Sequence, residues 1–281
     1  MTSDQKILKN SNSGASLSYF YRNNKKFVRK KMHDNDRSVR SLNMQREFES
    51  TEYISAVKII NMLKKHNQIS CDMEFIDGYV SEDYAINMTF KNVDIFCDIL
   101  RAYFENKVHN SVPKPLKNEV IKSKVNEIES NCNNINKNTK KLFISAKKKI
   151  FKSLRNTSLI YPQSSYHGDF TLSNLIFNKK DKHLYLIDFL DTYLDSYLID
   201  YAKLLQDLEY CWSCRYSTQH VRLKGKILGE RILKNIQFKD LRNYKQTFKI
   251  ISLLNTLRIL PYANDEITLL WVETTLKLQL R

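Results

Sequence analysis

The sequence predicts an α+β chain of two lobes, a small β-rich N-terminal lobe over residues 1–90 and a larger, mostly helical C-terminal lobe over 91–281. Three observations predict it. Alternating apolar and polar residues punctuated by turn chemistry occur before residue 90 and once more at 172–189, whereas elsewhere the apolar residues recur at helical spacing. The chain has 281 residues, 42% of them hydrophobic, with 16 Tyr and 14 Phe, enough to bury one large core or two smaller ones. Five glycines and four prolines are too few for a collagen-like or low-complexity chain.

The elements follow in order. Leu17-Ser-Tyr-Phe-Tyr21 and Lys26-Phe-Val-Arg-Lys-Lys-Met32 alternate as strands around the turn Arg22-Asn-Asn-Lys25, which makes a hairpin. Val39, Leu42, Phe48, Ile54, Val57, Ile60 and Leu63 then recur at roughly helical spacing and predict one long helix, or two abutting ones, over about 36–65. Residues 75–79 and 84–90 read as another strand pair around Ser81-Glu-Asp83, and from Val93 the period becomes helical. Pro113 and Pro115 mark a break, and 131–137 is a polar corner between two Lys-rich helices. Pro261 stops a further helix, and Asn264-Asp265 caps a last amphipathic one through Ile267, Leu270, Trp271 and Leu276.

Charge and cysteine usage narrow the function. Forty-six Lys+Arg against 30 Asp+Glu leave a formal charge of +16, which suits an anionic partner: nucleic acid, a phosphorylated small molecule or a membrane surface. The Lys- and Asn-rich stretch from Asn131 to Lys149 carries few aromatics and reads as solvated helix face rather than a nucleic-acid track, so nucleic acid is disfavoured. No run of about 18 apolar residues exists, and Met1 to Asn12 is polar; a transmembrane span and a secretory signal are not expected, and a cytoplasmic location is. Cys71, Cys97, Cys132, Cys211 and Cys214 are odd in number and scattered, as reduced thiols are. Cys211-Trp-Ser-Cys214 lacks the second pair that a closed zinc site needs, and packing is the better reading.

The chemistry is concentrated in Tyr166-His-Gly-Asp-Phe-Thr-Leu-Ser-Asn174, the apolar Leu175-Ile-Phe177, a polar turn, and Leu184-Tyr-Leu-Ile-Asp-Phe189. With the turn at Lys179 to Lys182, Asn178 pairs with His183 and Asn174 faces Ile187, within one residue of Asp188. An amide oxygen and a carboxylate then converge, the hard oxygen donors that suit a Mg²⁺ shared with substrate phosphates. Asp169, on the loop just before, is placed to take a proton.

The spacing His167-x-Asp169-x4-Asn174, with Ile187-Asp-Phe189 fourteen residues later, resembles the catalytic loop and metal-binding motif of the protein-kinase-like superfamily. More narrowly it is similar to the aminoglycoside phosphotransferase and choline kinase branch, where His-Gly-Asp replaces His-Arg-Asp. The likeness lies in the motifs over about 166–207 and in the organisation of the whole chain. It implies a bilobal protein-kinase-like fold, with ATP and Mg²⁺ as cofactors and the nucleotide between the lobes. By that resemblance Asp169 is the base for an acceptor hydroxyl, Asn174 and Asp188 are Mg²⁺ ligands, and His167 braces the loop. Phe27-Val-Arg-Lys30 resembles the strand whose lysine contacts the α- and β-phosphates; alternation selects Lys30, on one face with Val28 and Met32, over Lys31.

The partner acid of Lys30 is expected from the next helix as Glu47, with Glu49 close behind; two residues apart they lie on different helix faces, so only one can pair. Asn12-Ser-Gly-Ala-Ser16 stands where a phosphate-covering loop belongs, with the backbone N–H groups of Ser13 and Gly14 toward phosphate, and Met88 joins the implied cofactor-binding set. Asp191 is expected as a substrate contact and Asp200 as a structural residue capping the helix that begins there. The chain departs from protein kinases in Leu190, which replaces the glycine of Asp-Phe-Gly, in the lack of an Ala-Pro-Glu segment, and in Phe170-Thr171, which lacks the lysine two residues beyond the base. These departures argue against protein substrates.

Taken together, these readings predict a small-molecule kinase acting on an alcohol of a sugar, polyol or amino alcohol, with a neutral or anionic acceptor favoured by the charge. The wording around 167–207 also resembles bacterial phosphotransferases of surface-polysaccharide biosynthesis, which suggests capsule or lipopolysaccharide assembly. Two alternatives are an aminoglycoside-modifying kinase, for which +16 is an awkward host, and a non-catalytic kinase-fold protein binding a partner or nucleic acid through its basic surface.

Overall fold

A computed structural model describes residues 7–8, 15–132, 135–156, 159–236 and 239–281. In chain order the elements begin with β1 (Ile7–Leu8), β2 (Ser16–Arg22), β3 (Lys25–His33), α1 (Asp36–Glu47), β4 (Ile54–Ala56), β5 (Ile59–Lys65) and β6 (Gln68–Glu74). They continue with α2 (Asp83–Asn87), α3 (Phe90–His109), β7 (Val112–Pro115), α4 (Asn118–Asn131), α5 (Lys137–Asn156) and β8 (Ile160–Gln163). The chain ends with β9 (Leu175–Asn178), β10 (His183–Leu186), α6 (Tyr197–Leu208), α7 (Gln219–Asn235), α8 (Lys245–Leu257) and α9 (Glu266–Leu280). Two compact units result, one of residues 1–79 with 174–191 and one of 80–173 with 192–281. The expected boundary at residue 90 falls inside the second unit, and the 174–191 hairpin belongs with the first.

The first unit is built on a five-stranded antiparallel sheet of order β1-β2-β3-β6-β5. The β2–β3 turn is the expected one. Asn23 and Asn24 take φ of 50° and 58°, the left-handed pair of a tight hairpin that asparagine tolerates. Asn35 caps α1 by accepting the Ser38 N–H at 2.9 Å.

The helix predicted over 36–65 stops at Glu47, and the strands β4 and β5 follow instead. The apparent helical period ran through Val57, Ile60 and Leu63, but Ile60 and Leu63 are exposed; the β5–β6 ladder shifts register between Ile59 and Asn61, and it is Ile59 and Met62 that pack on the core. His66 and Asn67, with φ of 46° and 59°, form a second tight turn of the same kind. The core of this unit gathers Leu42, Val57, Ile69, Cys71 and Met73, with Val28 and Met32 packed against it.

The strand pair expected at 75–79 and 84–90 is also replaced. Among these residues Tyr79 alone makes a β-bridge, to Phe177, and Asp83–Asn87 is the short helix α2. A brief apolar run does not distinguish the two states; burial of Tyr84 against the Phe96 ring, 5.2 Å between centroids, favours the helix. By contrast the β9–β10 hairpin has the expected register: His183 faces Asn178, Leu186 faces Leu175, and the Ile187 N–H donates to the Asn174 carbonyl at 3.1 Å. A parallel strand, β4, flanks β10 and was not foreseen.

In the second unit α6 is buried along nearly all its length, Leu198, Ile199 and Leu204 completely. Helix α5 turns Phe143, Ala146, Ile150 and Leu154 inward, at spacings of three and four, and leaves much of its lysine outside. Asp265 caps α9 through the Thr268 N–H as expected, but Ile267 and Leu270 are exposed and Val272, Thr275 and Leu276 form the buried face. Among the described residues the cysteines are free thiols, no group of three or more His, Cys, Asp or Glu forms a metal cluster, and no helix is long and apolar enough to cross a membrane.

Candidate active site

The loop that presents Asp169 is fastened at its backbone. Gly168 has φ 89°, a conformation that Cβ-bearing residues avoid, and this bends the chain so that two consecutive N–H groups point one way. Both meet Asp200: the His167 N–H donates to Oδ2 at 2.8 Å and the Gly168 N–H to Oδ1 at 2.7 Å, while the Tyr103 hydroxyl adds a third bond at 2.9 Å. Burial pushes the Asp200 carboxyl upward, opposed by His167 and these donors. With three donors aimed at it, the group fits the ionised, acceptor-only form.

Asp200 is therefore structural, as expected, but does not cap α6. Ser196 does, accepting the Leu198 N–H, because α6 begins three residues earlier than the sequence suggested. The His167 ring is fully buried, accepts the Asp169 N–H on Nδ1 at 3.2 Å and lies edge-on to Phe170, which stacks on Tyr103 at 4.8 Å. The bracing role expected of His167 has that geometry. Further along, the Leu172 N–H donates to the buried Asp207 at 2.6 Å. Burial lifts the Asp207 carboxyl to about 6, against the pull of the Ser213 and Leu172 amides.

Asp169 itself faces a cation that the sequence reading passed over. Lys203 Nζ lies 3.1 Å from Asp169 Oδ1, with only 12% of the lysine side chain exposed. Burial alone would raise the Asp169 carboxyl, but the Lys203 charge and hydrogen bond, with His167 and Arg258, bring it below its ordinary value. Asp200, Lys203 and Asp207, at spacings of three and four, were the signal in the sequence: one helical face aimed at one loop.

In the first unit, Lys30 lies on β3 between Val28 and Met32, as the alternation predicted, and its Nζ pairs with Asp188 Oδ1 at 2.6 Å. Asp188 follows β10 with φ 59°, a left-handed conformation that costs a non-glycine residue roughly 1–2 kcal/mol. Asn174 is buried and backbone-bonded to Ile187, so the hairpin sets it across from the residue preceding Asp188. The pair supplies an amide oxygen and one carboxylate, a donor set that fits a Mg²⁺ completing its shell with phosphates and water.

Glu47 does not join Lys30. Gln45 is the inward residue of that turn, buried and donating to the Val57 carbonyl at 2.8 Å; two residues on, about 200° around the helix, Glu47 is exposed, as is Glu49. Lys30 meets Asp188 in its place. Asp191 pairs with Arg40 of α1 at 2.6 Å, Met88 is the residue that ends α2, and Ser13 and Gly14 lie outside the described residues.

A loop-borne aspartate braced by a buried histidine and aspartate, and a hairpin carrying Asn174 and Asp188 beside a strand lysine, together with the helical second unit, define a protein-kinase-like fold. Solved structures agree on that fold. Aminoglycoside phosphotransferase APH(4)-Ia, as a thermostable mutant in ternary complex with AMP-PNP and hygromycin B, superposes with a TM-score of 0.68 at 10% identity, covering 100% of this chain and 94% of that one. The gentamicin–APH(2")-IIa complex gives 0.57 at 16% identity over 98% and 91%, and a Plasmodium vivax ethanolamine kinase 0.52 at 12% over 99% and 82%. No family model matches the sequence, and no curated protein does.

Proposed function

We propose that the protein is an ATP- and Mg²⁺-dependent kinase that transfers the γ-phosphoryl group to an alcohol hydroxyl of a small molecule. The observation that carries this reading is Asp169: a carboxylate on a loop held at four points, 3.1 Å from the Lys203 ammonium, in a fold whose solved examples include complexes with AMP-PNP and ADP. Asp169 accepts the hydroxyl proton and orients the oxygen for attack; Lys30 contributes positive charge toward phosphate. Asn174 and Asp188 would hold Mg²⁺, which when bound screens the charge of the phosphates. Catalysis of this kind rests mainly on positioning and electrostatics.

For the acceptor, the surroundings of Asp169 favour a neutral or anionic alcohol such as a sugar or polyol. Its own unit turns Lys203, Arg258 and His167 toward it, and the whole chain carries +16. A role in surface-polysaccharide assembly fits that chemistry. An aminoglycoside acceptor is the second reading, favoured by the hygromycin B and gentamicin complexes among the similar structures, and it meets the same cations as repulsion.

The test is a mass-spectrometric acceptor screen with Mg-ATP, offering sugars, alditols, amino alcohols, nucleoside-diphosphate sugars and aminoglycosides, with Asp169→Asn protein alongside. A phosphorylated product that disappears in Asp169→Asn supports the reading and names the acceptor. Absence of Mg-ATP binding refutes it in favour of a non-catalytic kinase-fold protein.

A further inference from the structure

We propose that Lys203 is a positioning residue whose ammonium keeps the Asp169 carboxylate ionised and aimed, as the middle member of a three-residue brace projected by helix α6. The brace follows from helical geometry. Residues 200, 203 and 207 lie on one face, within about 60° of each other around the axis. Each takes hold of a different point of the same loop: Asp200 the N–H groups of His167 and Gly168, Lys203 the side chain of Asp169, Asp207 the N–H of Leu172. The outer contacts fix the backbone on either side of Asp169, and the central one fixes its side chain.

Charge explains why the central residue is a lysine. Asp169, Asp200 and Asp207 crowd three carboxyls around one loop, and Asp169 adds to the upward shift of Asp207. The charged groups that act on Asp169 are Lys203 from α6, His167 from the loop and Arg258 following α8, with the acid Asp207 coupled to it from α6. Burial works against the ionised form, and of the cations Lys203 has the largest opposing effect and a direct hydrogen bond. A neutral side chain at 203 would remove the largest charge effect opposing burial and raise the proton affinity of the carboxyl. The consequence for catalysis rests on the reading of Asp169 as the base; the electrostatic clamp does not.

The experiment is a ¹³C NMR titration of aspartate carboxyl carbons in the full chain, with the Asp169 signal assigned by its loss in Asp169→Asn. Wild type and Lys203→Arg should show Asp169 titrating below the ordinary value of 3.8. In Lys203→Met the proton affinity of Asp169 should rise at least about tenfold, the effect of removing an opposite charge at this distance. Should Lys203→Met not fold, Lys203→Gln, which keeps a donor without the charge, makes the same comparison. An Asp169 titration that is the same in the neutral variants as in wild type overturns the clamp. Turnover of Mg-ATP without added acceptor, followed against pH, separates the two ideas: an acidic limb that moves upward with the titration supports both. A moved titration with turnover indifferent to Asp169→Asn supports the clamp and overturns the base.

Discussion

Replacing Asp200 by asparagine tests whether the loop that presents Asp169 is held by a carboxylate. In the wild type two oxygens receive three donors: Oδ2 takes the His167 N–H and the Tyr103 hydroxyl, and Oδ1 takes the Gly168 N–H. Asparagine keeps one oxygen, so its amide nitrogen confronts at least one N–H, donor against donor. Leaving a buried amide unsatisfied costs roughly 1–3 kcal/mol, and losing the negative charge weakens each surviving bond by about half of its roughly 1.5–3 kcal/mol. Together these predict a loss of about 3–5 kcal/mol, large because Asp200 is completely buried and no water can replace the lost acceptor. Tyr103→Phe, which removes one donor and orphans nothing, should cost only about 1 kcal/mol. Urea denaturation gives both values, and hydrogen exchange localises them, since the His167 and Gly168 amides should lose protection in Asp200→Asn. A variant within 1 kcal/mol of wild type with both amides still protected would refute the reasoning.

Three further outcomes are expected. In Gly229→Ala the new Cβ would stand 2.0 Å from the Leu208 carbonyl oxygen, so α7 and the end of α6 must part; a drop of several kcal/mol is expected, of the order that severe overpacking produces, and unchanged thermal stability would contradict the packing. Asp207 titrates near 6 in the fold against 3.8 for the free group. The folded chain therefore holds this proton more tightly, and the stability it contributes is full below about pH 3 and lost as pH rises through about 6. Between about pH 3 and pH 7 wild type should lose about 3 kcal/mol relative to Asp207→Asn, and parallel pH profiles for the two would count against it. Lys30→Met should weaken Mg-ATP binding by roughly 10- to 100-fold, the worth of one charge-assisted contact to phosphate, with calorimetry as the assay and an unchanged Kd as the contrary result.

Much of the site was legible in the chain because its parts are close in sequence. The hairpin register that sets Asn174 across from Ile187 followed from the position of one turn, since a strand pair with a fixed turn has one pairing. Lys30 was separable from Lys31 because side chains alternate along a strand, and the Asn23-Asn24 turn announced itself through residues that tolerate left-handed backbone. Where a second signal interfered, the reading failed. Val57, Ile60 and Leu63 stand at a helix-like interval, yet Ile60 and Leu63 face outward and the bulged β5 turns Ile59 and Met62 to the core, an alternation that local periodicity cannot recover before the neighbour β6 is known.

Contacts between residues far apart in sequence were decided by the tertiary structure alone. Glu47 was a sound choice for Lys30 by order along the chain, but the rotational phase of α1 is set by what packs against it; Gln45 turns inward and Glu47 outward, leaving Lys30 to Asp188, 158 residues away. The strand β4 beside β10 and the salt bridge from Lys203 to Asp169 have the same origin. In the sequence Lys203 is one of 46 basic residues; docking of α6 under the loop singles it out. The sequence by itself determined which chemical groups the protein carries and how each short segment bends, because φ/ψ preference and side-chain alternation act over a few residues. Which charge meets which was left to packing, since burial rewards apolar contact without regard to order along the chain and only the assembled core selects one set of partners.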